Sequence, residues 1–583
     1  MPALLALPIA AAERPADLVL FDGAVYTLDA ARSWASAVAV RDGRVVYVGD
    51  DGGARALAGP GTSVVDLDGK MLLPGFVDAH VHPISGGLEL LQCDLHDQRS
   101  VEALLAVVRK CADARPADPW ILGGGWELPL FPDGNPDRRL LDAIVADRPV
   151  ALSASDGHSL WVNSKALALA GINRSTPDPP SGRIERDRET GEPSGTLRES
   201  ASRLVWNRIP RPRGAELAAG LALAVERAHR FGITTWVEAS AGAEELATYR
   251  DFDREVGLGL FVRAALRVDP DRGVEQVADL VALRARDWGP RVVAGAAKLY
   301  ADGVIESGTA ALLAPYRNRN GSRGELFWSE ERLRAIALAL DAAGFQLHVH
   351  AIGDRAVRAT LDAIERVERE RGRRDRRPTL AHIQLIDPVD IARFRRLDAA
   401  ANFQPLWAFE DRYIRELTVP FLGPERSRWL YPIASVAKSG APLAAGSDWS
   451  VSSMNPLEAI EVALTRRDPS AGPGPGWIPE ERSDLPTLLA AYTIGGAWTA
   501  FRERESGSIE VGKRSDLIVL EKNLFDLPAH EISEVRVLRT YFEGREVYRD
   551  PSTPGARSAC APRPLRSTLA SAARSWRILS PGP

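Results

Sequence analysis

The sequence predicts a parallel (β/α)8 barrel, a TIM barrel, carrying a small β-sandwich domain built from both chain ends. Three observations predict it. Between residues 73 and 500, short β-rich runs alternate with amphipathic helical stretches, as βα units around a parallel sheet do. Eight such runs can be counted, the number that closes this barrel. Each chain end carries a group of Gly- and Asp-punctuated strand runs with too few apolar residues for a core of its own.

The N-terminal runs are 17–28, 36–40, 44–49 and 63–67, within a segment taken as 1–72. Their counterparts are 507–520 and 535–548, within 501–549. The barrel strands are expected at 76–82, 233–238, 260–267, 293–300, 345–351, 379–383, 399–404 and 443–448. Some 150 residues separate the first two, so an insertion at about 84–215 must sit on the first βα connection. There it covers the catalytic face of a barrel. Residues 551–583 are Pro-, Ser-, Ala- and Arg-rich without an acidic residue, and the segment 550–583 reads as a disordered tail.

Composition narrows the function. The 583 residues carry 73 basic and 78 acidic side chains, a net charge of −5 with no footprint for nucleic acid or a membrane surface. No segment has the length of a membrane span. Residues 1–12 are apolar but lack a charged leader region, so a cytoplasmic protein is expected. Cys93, Cys111 and Cys560 are odd in number and far apart, which suggests neither a disulfide framework nor a thiolate metal site. Any metal must therefore be held by nitrogen and oxygen. The expected partner is a small-molecule substrate, with self-association left open.

Such ligands recur at the ends of the predicted strands. In FVDAHVHP, His80 and His82 are two apart on a strand and point to one face, the barrel interior. Two imidazoles there make a metal half-site. Lys298 ends the fourth strand in an apolar context, and only seven of the 73 basic residues are lysines. A buried amine tends to lose its proton, and a neutral amine can react with carbon dioxide to give a carbamate able to bridge two metal ions. Pairing of Lys298 with a carboxylate such as Asp302 is the competing reading. FQLHVHAIGD places His348 and His350 on one face with His350 nearer the strand end; His382 ends strand six and Asp448 strand eight.

Over residues 17–549 the chain resembles the amidohydrolase superfamily, in particular the branch containing N-substituted formamide deformylases. The resemblance rests on LPGFVDAHVHP, DGHSLWVNSKAL, GEPSGTLRESA, KLYADGVIESGTAALLAPY, VHAIGDRAV, AHIQLI, GSDW and GSIEVGKRSDLIVL. It implies that His80 and His82 bind one divalent metal, zinc by expectation, and that His350 and His382 bind a second. Lys298 as a carbamate would bridge the two. Asp448 would complete the first site and shuttle a proton from the attacking water to the departing nitrogen. The reaction implied is cleavage of a non-peptide amide-type C–N bond.

His158, within the insertion, is a candidate for substrate contact or oxyanion stabilisation, and equally for a histidine that organises its loop. Trp126, Trp161, Trp407 and Trp449 are candidates for lining an aromatic pocket. Three other readings stay open. An ester or lactone hydrolase would use the same residues; a mononuclear deaminase would not need Lys298; a non-catalytic binding module would be expected to lose ligands.

Overall fold

The computed structural model describes residues 14–319 and 321–553. Eight parallel strands, hydrogen-bonded in chain order, form its central sheet. They are Phe76–Val81, Ile233–Ala241, Phe261–Arg267, Val292–Tyr300, Gln346–Ala351, Thr379–His382, Ala400–Phe403 and Leu443–Ala445. Strands covered on both faces read as nearly unbroken apolar runs, and seven of the eight are buried at every residue or all but one. Helices such as Glu330–Ala342 and Asp354–Arg371 lie between them and turn apolar faces inward.

The sheet closes between strands one and eight through a seam beyond the regular ladder. Asp448 N–H donates to the His80 carbonyl at 2.7 Å and His82 N–H to the Trp449 carbonyl at 3.0 Å. The buried Asp78 carboxylate accepts Ser447 N–H at 2.9 Å and Ser447 Oγ–H at 2.5 Å. Gly446 makes the approach feasible, since a Cβ there would lie 2.5 Å from His80 N.

Both chain ends share one sheet. Its strand order runs Arg545–Arg549, Val537–Phe542, Leu517–Leu520, Met71–Pro74, Ala24–Tyr26, Trp34–Ala35. A second, four-stranded sheet of Arg44–Gly49, Ala37–Arg41, Leu18–Phe21 and Ser63–Asp66 is entirely N-terminal. The run expected as one strand over 17–28 breaks at Asp22, where φ is +53°, and its two halves enter different sheets. Leu18, Leu20, Val38, Leu72, Leu517 and Val519 pack in one apolar cluster between the sheets. Of the expected run 507–520, only Leu517–Leu520 is strand, and Met71–Pro74 is a strand the pattern concealed because it runs directly into the first barrel strand.

The insertion folds as a layer of its own. Six strands between Cys93 and Glu199 form a mixed sheet with a separate apolar cluster around Leu160, Val162 and Leu197. Cys93 and Cys111 are disulfide-bonded, with Cα atoms 5.9 Å apart, which corrects the reading of the cysteines as unpaired. Their spacing of 18 residues hides the contact because the helix Val101–Ala114 folds back beside the strand Cys93–Asp94. The insertion leaves the barrel through the helix Pro83–Glu89, which crosses Ala215–Arg230 at Gly87 and Gly220. A Cβ on Gly87 would meet the Gly220 carbonyl oxygen at 1.9 Å. The apolar stretch 1–12, Cys560 and nearly all of the expected tail lie outside the described residues. Among the described residues, no helix is long and apolar enough to cross a membrane.

Leu72 and Val519 are direct cross-strand partners, both buried. A double-mutant cycle on Leu72→Ala and Val519→Ala, read by denaturant unfolding, should show a coupling of about 0.5 kcal/mol or more. Strict additivity would mean that the two chain ends do not share a sheet.

Candidate metal centre

Alternation along the first barrel strand places Asp78 and His80 on the inner face, with His82 just beyond the strand end as it turns into the next helix. The seam then sets Asp448 against both histidines. One Asp448 oxygen lies 3.5 Å from His80 Nε2 and 3.2 Å from His82 Nε2. His80, His82 and Asp448 each offer one ligand atom within a sphere of mutual distances no greater than 4.8 Å. Asp448 and His382 both sit at positive φ, +53° and +78°, an uncommon conformation for residues with a Cβ and one that clusters at functional sites.

Lys298 enters from strand four. Its side chain is fully buried, and Nζ lies 3.2 Å from His80 Nε2. Among the described residues it has no carboxylate partner within salt-bridge distance. Asp302, the alternative partner, is instead consumed by the backbone N–H groups of Ala311, Ile352 and Gly353 at 2.8–3.0 Å. Burial pulls the Lys298 ammonium down to about 7. On the other side, the rings of His350 and His382 are 4.6 Å apart, and that of His382 is 4.8 Å from that of His80.

Partners behind these side chains hold their orientation. His382 Nδ1 donates to Gln404 Oε1 at 2.7 Å, leaving its Nε2 free to ligate, and Gln404 Nε2 donates in turn to Asn402. His348 Nε2 shares a proton with His80 Nδ1 at 2.8 Å, which commits the rear nitrogen of His80 and aims its Nε2 at Lys298 and Asp448. His82 Nδ1 lies 3.7 Å from Glu238, whose other oxygen accepts the Tyr249 hydroxyl at 2.8 Å. Sequence reading singled out none of Glu238, Gln404 or Asn402. The available signal was a polar residue, or an i, i+2 polar pair, inside a strand otherwise buried and apolar.

Burial, helped by the nearby Lys298, drives the His80 and His382 imidazoliums far below their usual range; burial does the same to His348 and His350. Neutral imidazoles are the form that binds metal. Burial also opposes charge on His82, but Asp448 and Glu238 overcome it and lift the ring to about 9.

His158 reaches the centre from the insertion, its ring 5.2 Å from that of His350. Its Nδ1 donates to Glu199 Oε2 at 2.8 Å, and Glu199 Oε1 accepts Thr309 Oγ–H at 2.6 Å, tying the insertion to the loop after strand four. Burial lowers the His158 ring, but Glu199 outweighs it and raises the value to about 9. All of this opens into a cleft of about 1660 Å³ whose wall includes His158, His350, His382, Asp448, Trp407 and Trp449. Trp407 stacks on His382 at 5.4 Å and 7°. Trp126 and Trp161, expected on the pocket wall, stand elsewhere. Both are fully buried in the insertion, packed on each other and on Phe131, with their indole N–H groups spent on the Leu152 and Asp137 carbonyls.

Comparison with known proteins agrees with this geometry. The Amidohydrolase family profile matches residues 63–548. The chain belongs to the amidohydrolase family. It is 32% identical over 542 residues to Protein LONG AFTER FAR-RED 3 of Arabidopsis thaliana, covering 91% of this chain and 92% of that one. It is 28% identical over 547 residues to the N-substituted formamide deformylase of Arthrobacter pascens, covering 91% and 97%. The fold matches an uncharacterized metal-dependent hydrolase from Pyrococcus furiosus with a TM-score of 0.68 and 26% identity, over 87% of this chain and 99% of that one. This amidohydrolase is therefore a hydrolase of a metal-dependent superfamily, on a barrel with an added sheet domain.

Glu238→Gln should loosen His82 and lower affinity for Zn2+ by about 10–100-fold, the usual cost of losing a partner behind a ligand. Competition against a chelator checks it. Tyr249→Phe should cause a smaller loss in the same direction, and unchanged affinity in both would remove Glu238 from the centre.

Proposed function

We propose that this protein hydrolyses a non-peptide amide-type C–N bond at a zinc centre held by His80, His82, His350, His382, Asp448 and a carbamylated Lys298. One observation carries the reading: a fully buried lysine without a carboxylate partner, 3.2 Å from His80, faces a cluster of imidazoles. An ammonium there would repel any cation. Reaction of the neutral amine with carbon dioxide, releasing one proton, replaces it with a carbamate anion carrying two ligand oxygens. The donor set is nitrogen and oxygen throughout, since Cys93 and Cys111 are bonded to each other. Such a set suits zinc.

The cation supplies Lewis acidity to water and to the scissile carbonyl. The remaining work falls to side chains. Asp448, at the mouth of the cleft, accepts the proton of the attacking water and returns it to the departing nitrogen, so amide plus water give carboxylic acid plus amine. His158, held charged by Glu199, would donate a hydrogen bond to the carbonyl oxygen as negative charge develops there. Trp407 and Trp449 supply apolar wall for the substrate.

Lys298→Ala should lose one equivalent of metal and most turnover, with short carboxylates in solution restoring part of both. Lys298→Arg should not be restored, because a guanidinium forms no carbamate. Elemental analysis and amine release from N-formyl, N-acetyl and cyclic amides read the outcome; an alanine variant with full metal and turnover would overturn the two-metal reading. Asp448→Asn should reduce kcat by about 10²–10⁴-fold, as loss of a general acid–base does. Retained kcat would take the proton shuttle away from Asp448.

A further inference from the structure

One wall of the cleft, next to the metal centre, carries three carboxylates that the proposed chemistry does not use. Glu306 is only 8% exposed. Its Oε1 accepts Gln384 Nε2–H at 2.7 Å and the Thr418 hydroxyl, while its Oε2 accepts nothing from any other of the described residues. Gln384 stands two positions beyond His382, which fixes Glu306 beside the centre. Asp156 stands two positions before His158. Its Oδ1 accepts His158 N–H at 2.9 Å, and its buried Oδ2 has no hydrogen-bond partner. Asp411 spends Oδ1 on the backbone N–H of Ile414 at 2.8 Å.

Two bridges join these groups into a single wall. Ser155, adjacent to Asp156, shares a proton with the Tyr413 hydroxyl at 2.7 Å, and Thr418 hydrogen-bonds both the Tyr413 carbonyl and Glu306. Trp407, Tyr413 and Tyr431 line the same cleft and supply aromatic surface.

The charge is only partly offset, by His158, whose ring is spent on Glu199, and by Arg415. Among the described residues, none of Asp156, Glu306 and Asp411 forms an ion pair with a Lys or Arg. Most of the cleft's arginines are committed elsewhere: Arg466 to the Leu430, Tyr431 and Trp477 carbonyls, Arg467 to the Gly472 and Pro475 carbonyls, Arg412 to Glu416, Arg99 to Glu127 and Arg227 to the face of Trp449, while Arg415 stands near enough to Asp411 to favour its charge. Arg198, the cation that approaches Asp156, is spent on Gly134, Asn135 and Ser159. Burial holds Asp411 at about 7 and lifts Glu306 and Asp156 above the usual carboxylate range, with Glu306 repelling Asp411, Asp156 repelling Glu306 and Glu199 repelling Asp156. Clustered, desolvated carboxylates with open oxygens and aromatic neighbours are the recognition chemistry of a cation.

We propose that this wall is a subsite for a cationic substituent of the substrate, an ammonium or guanidinium group carried on the amide, which rests on the amide-hydrolase reading of the adjoining centre. The cation would donate to Glu306 Oε2 and pack against the aromatic rings, with Asp156 and Asp411 adding negative charge behind it. The substrate class is then amides with a positive charge a few bonds from the scissile group.

The test uses zinc-loaded enzyme and three amides of matched size: N-(4-aminobutyl)acetamide, N-pentylacetamide and 5-acetamidopentanoate. Binding is read by calorimetry and turnover separately by amine release. The aminobutyl compound should bind about tenfold tighter than the pentyl compound, the scale of one desolvated cation contact, and the carboxylate should bind weakest. Glu306→Gln, nearly isosteric, should shrink that preference, as should Asp411→Asn, with circular dichroism confirming the fold of both. Equal or tighter binding of N-pentylacetamide by the parent enzyme would overturn the subsite, as would a preference that survives both substitutions. Cation-selective binding without hydrolysis of any amide would keep the subsite and defeat the amide reading. Hydrolysis of all three without selectivity would do the reverse.

Discussion

The contact between barrel strands one and eight carries the rest of the site. The Asp78 carboxylate grips Ser447 through both its N–H and its hydroxyl, and Asp448 N–H is donated to the His80 carbonyl. Asp78 is buried, and desolvation, with repulsion from Asp448 added, raises it to about 7 against the hydrogen bonds that favour its charge. Such a group belongs at a junction only if its position matters. Here it fixes His80 and His82 against Asp448, residues that come from opposite ends of the barrel chain. Weakening that grip would separate the carboxylate of Asp448 from the imidazoles while leaving each strand intact.

Around the seam, the site is made by desolvation as much as by contact. Four imidazoles are kept neutral by burial, while His82 and His158 are kept charged because carboxylates outweigh burial. Of the charged rings, His82 stands at the end of strand one between Asp448 and Glu238. Neutral rings face the barrel axis, and His158 arrives from the insertion on the Glu199–Thr309 bridge. The barrel thus carries the candidate ligands, and the insertion adds a positive charge of its own from a segment that can vary without disturbing them.

Much of this was legible in the sequence because parallel barrel strands, covered on both faces, announce themselves as apolar runs. All eight lie within a few residues of their expected bounds, and the last stops early, at Ala445, because Gly446 turns into the seam. His80, His82, Lys298 and Asp448 stood out as polar residues at strand ends. What escaped was contact between segments distant in the chain. Glu238 reads as an ordinary strand residue until His82 is placed beside it, and Trp126 and Trp161 read as pocket aromatics until the insertion's own sheet encloses them. The Cys93–Cys111 bond hid for the same reason.

The sandwich shared by the two termini bears on how the chain is made. Met71–Pro74 leaves the ribosome early, whereas its neighbour Leu517–Leu520 follows about 440 residues later. At about 5–20 residues per second, synthesis leaves that N-terminal strand edge unpaired for roughly 20–90 seconds. An open edge of that duration invites pairing with other nascent chains, so chaperone cover early in translation, rather than barrel closure, would govern the yield of folded enzyme.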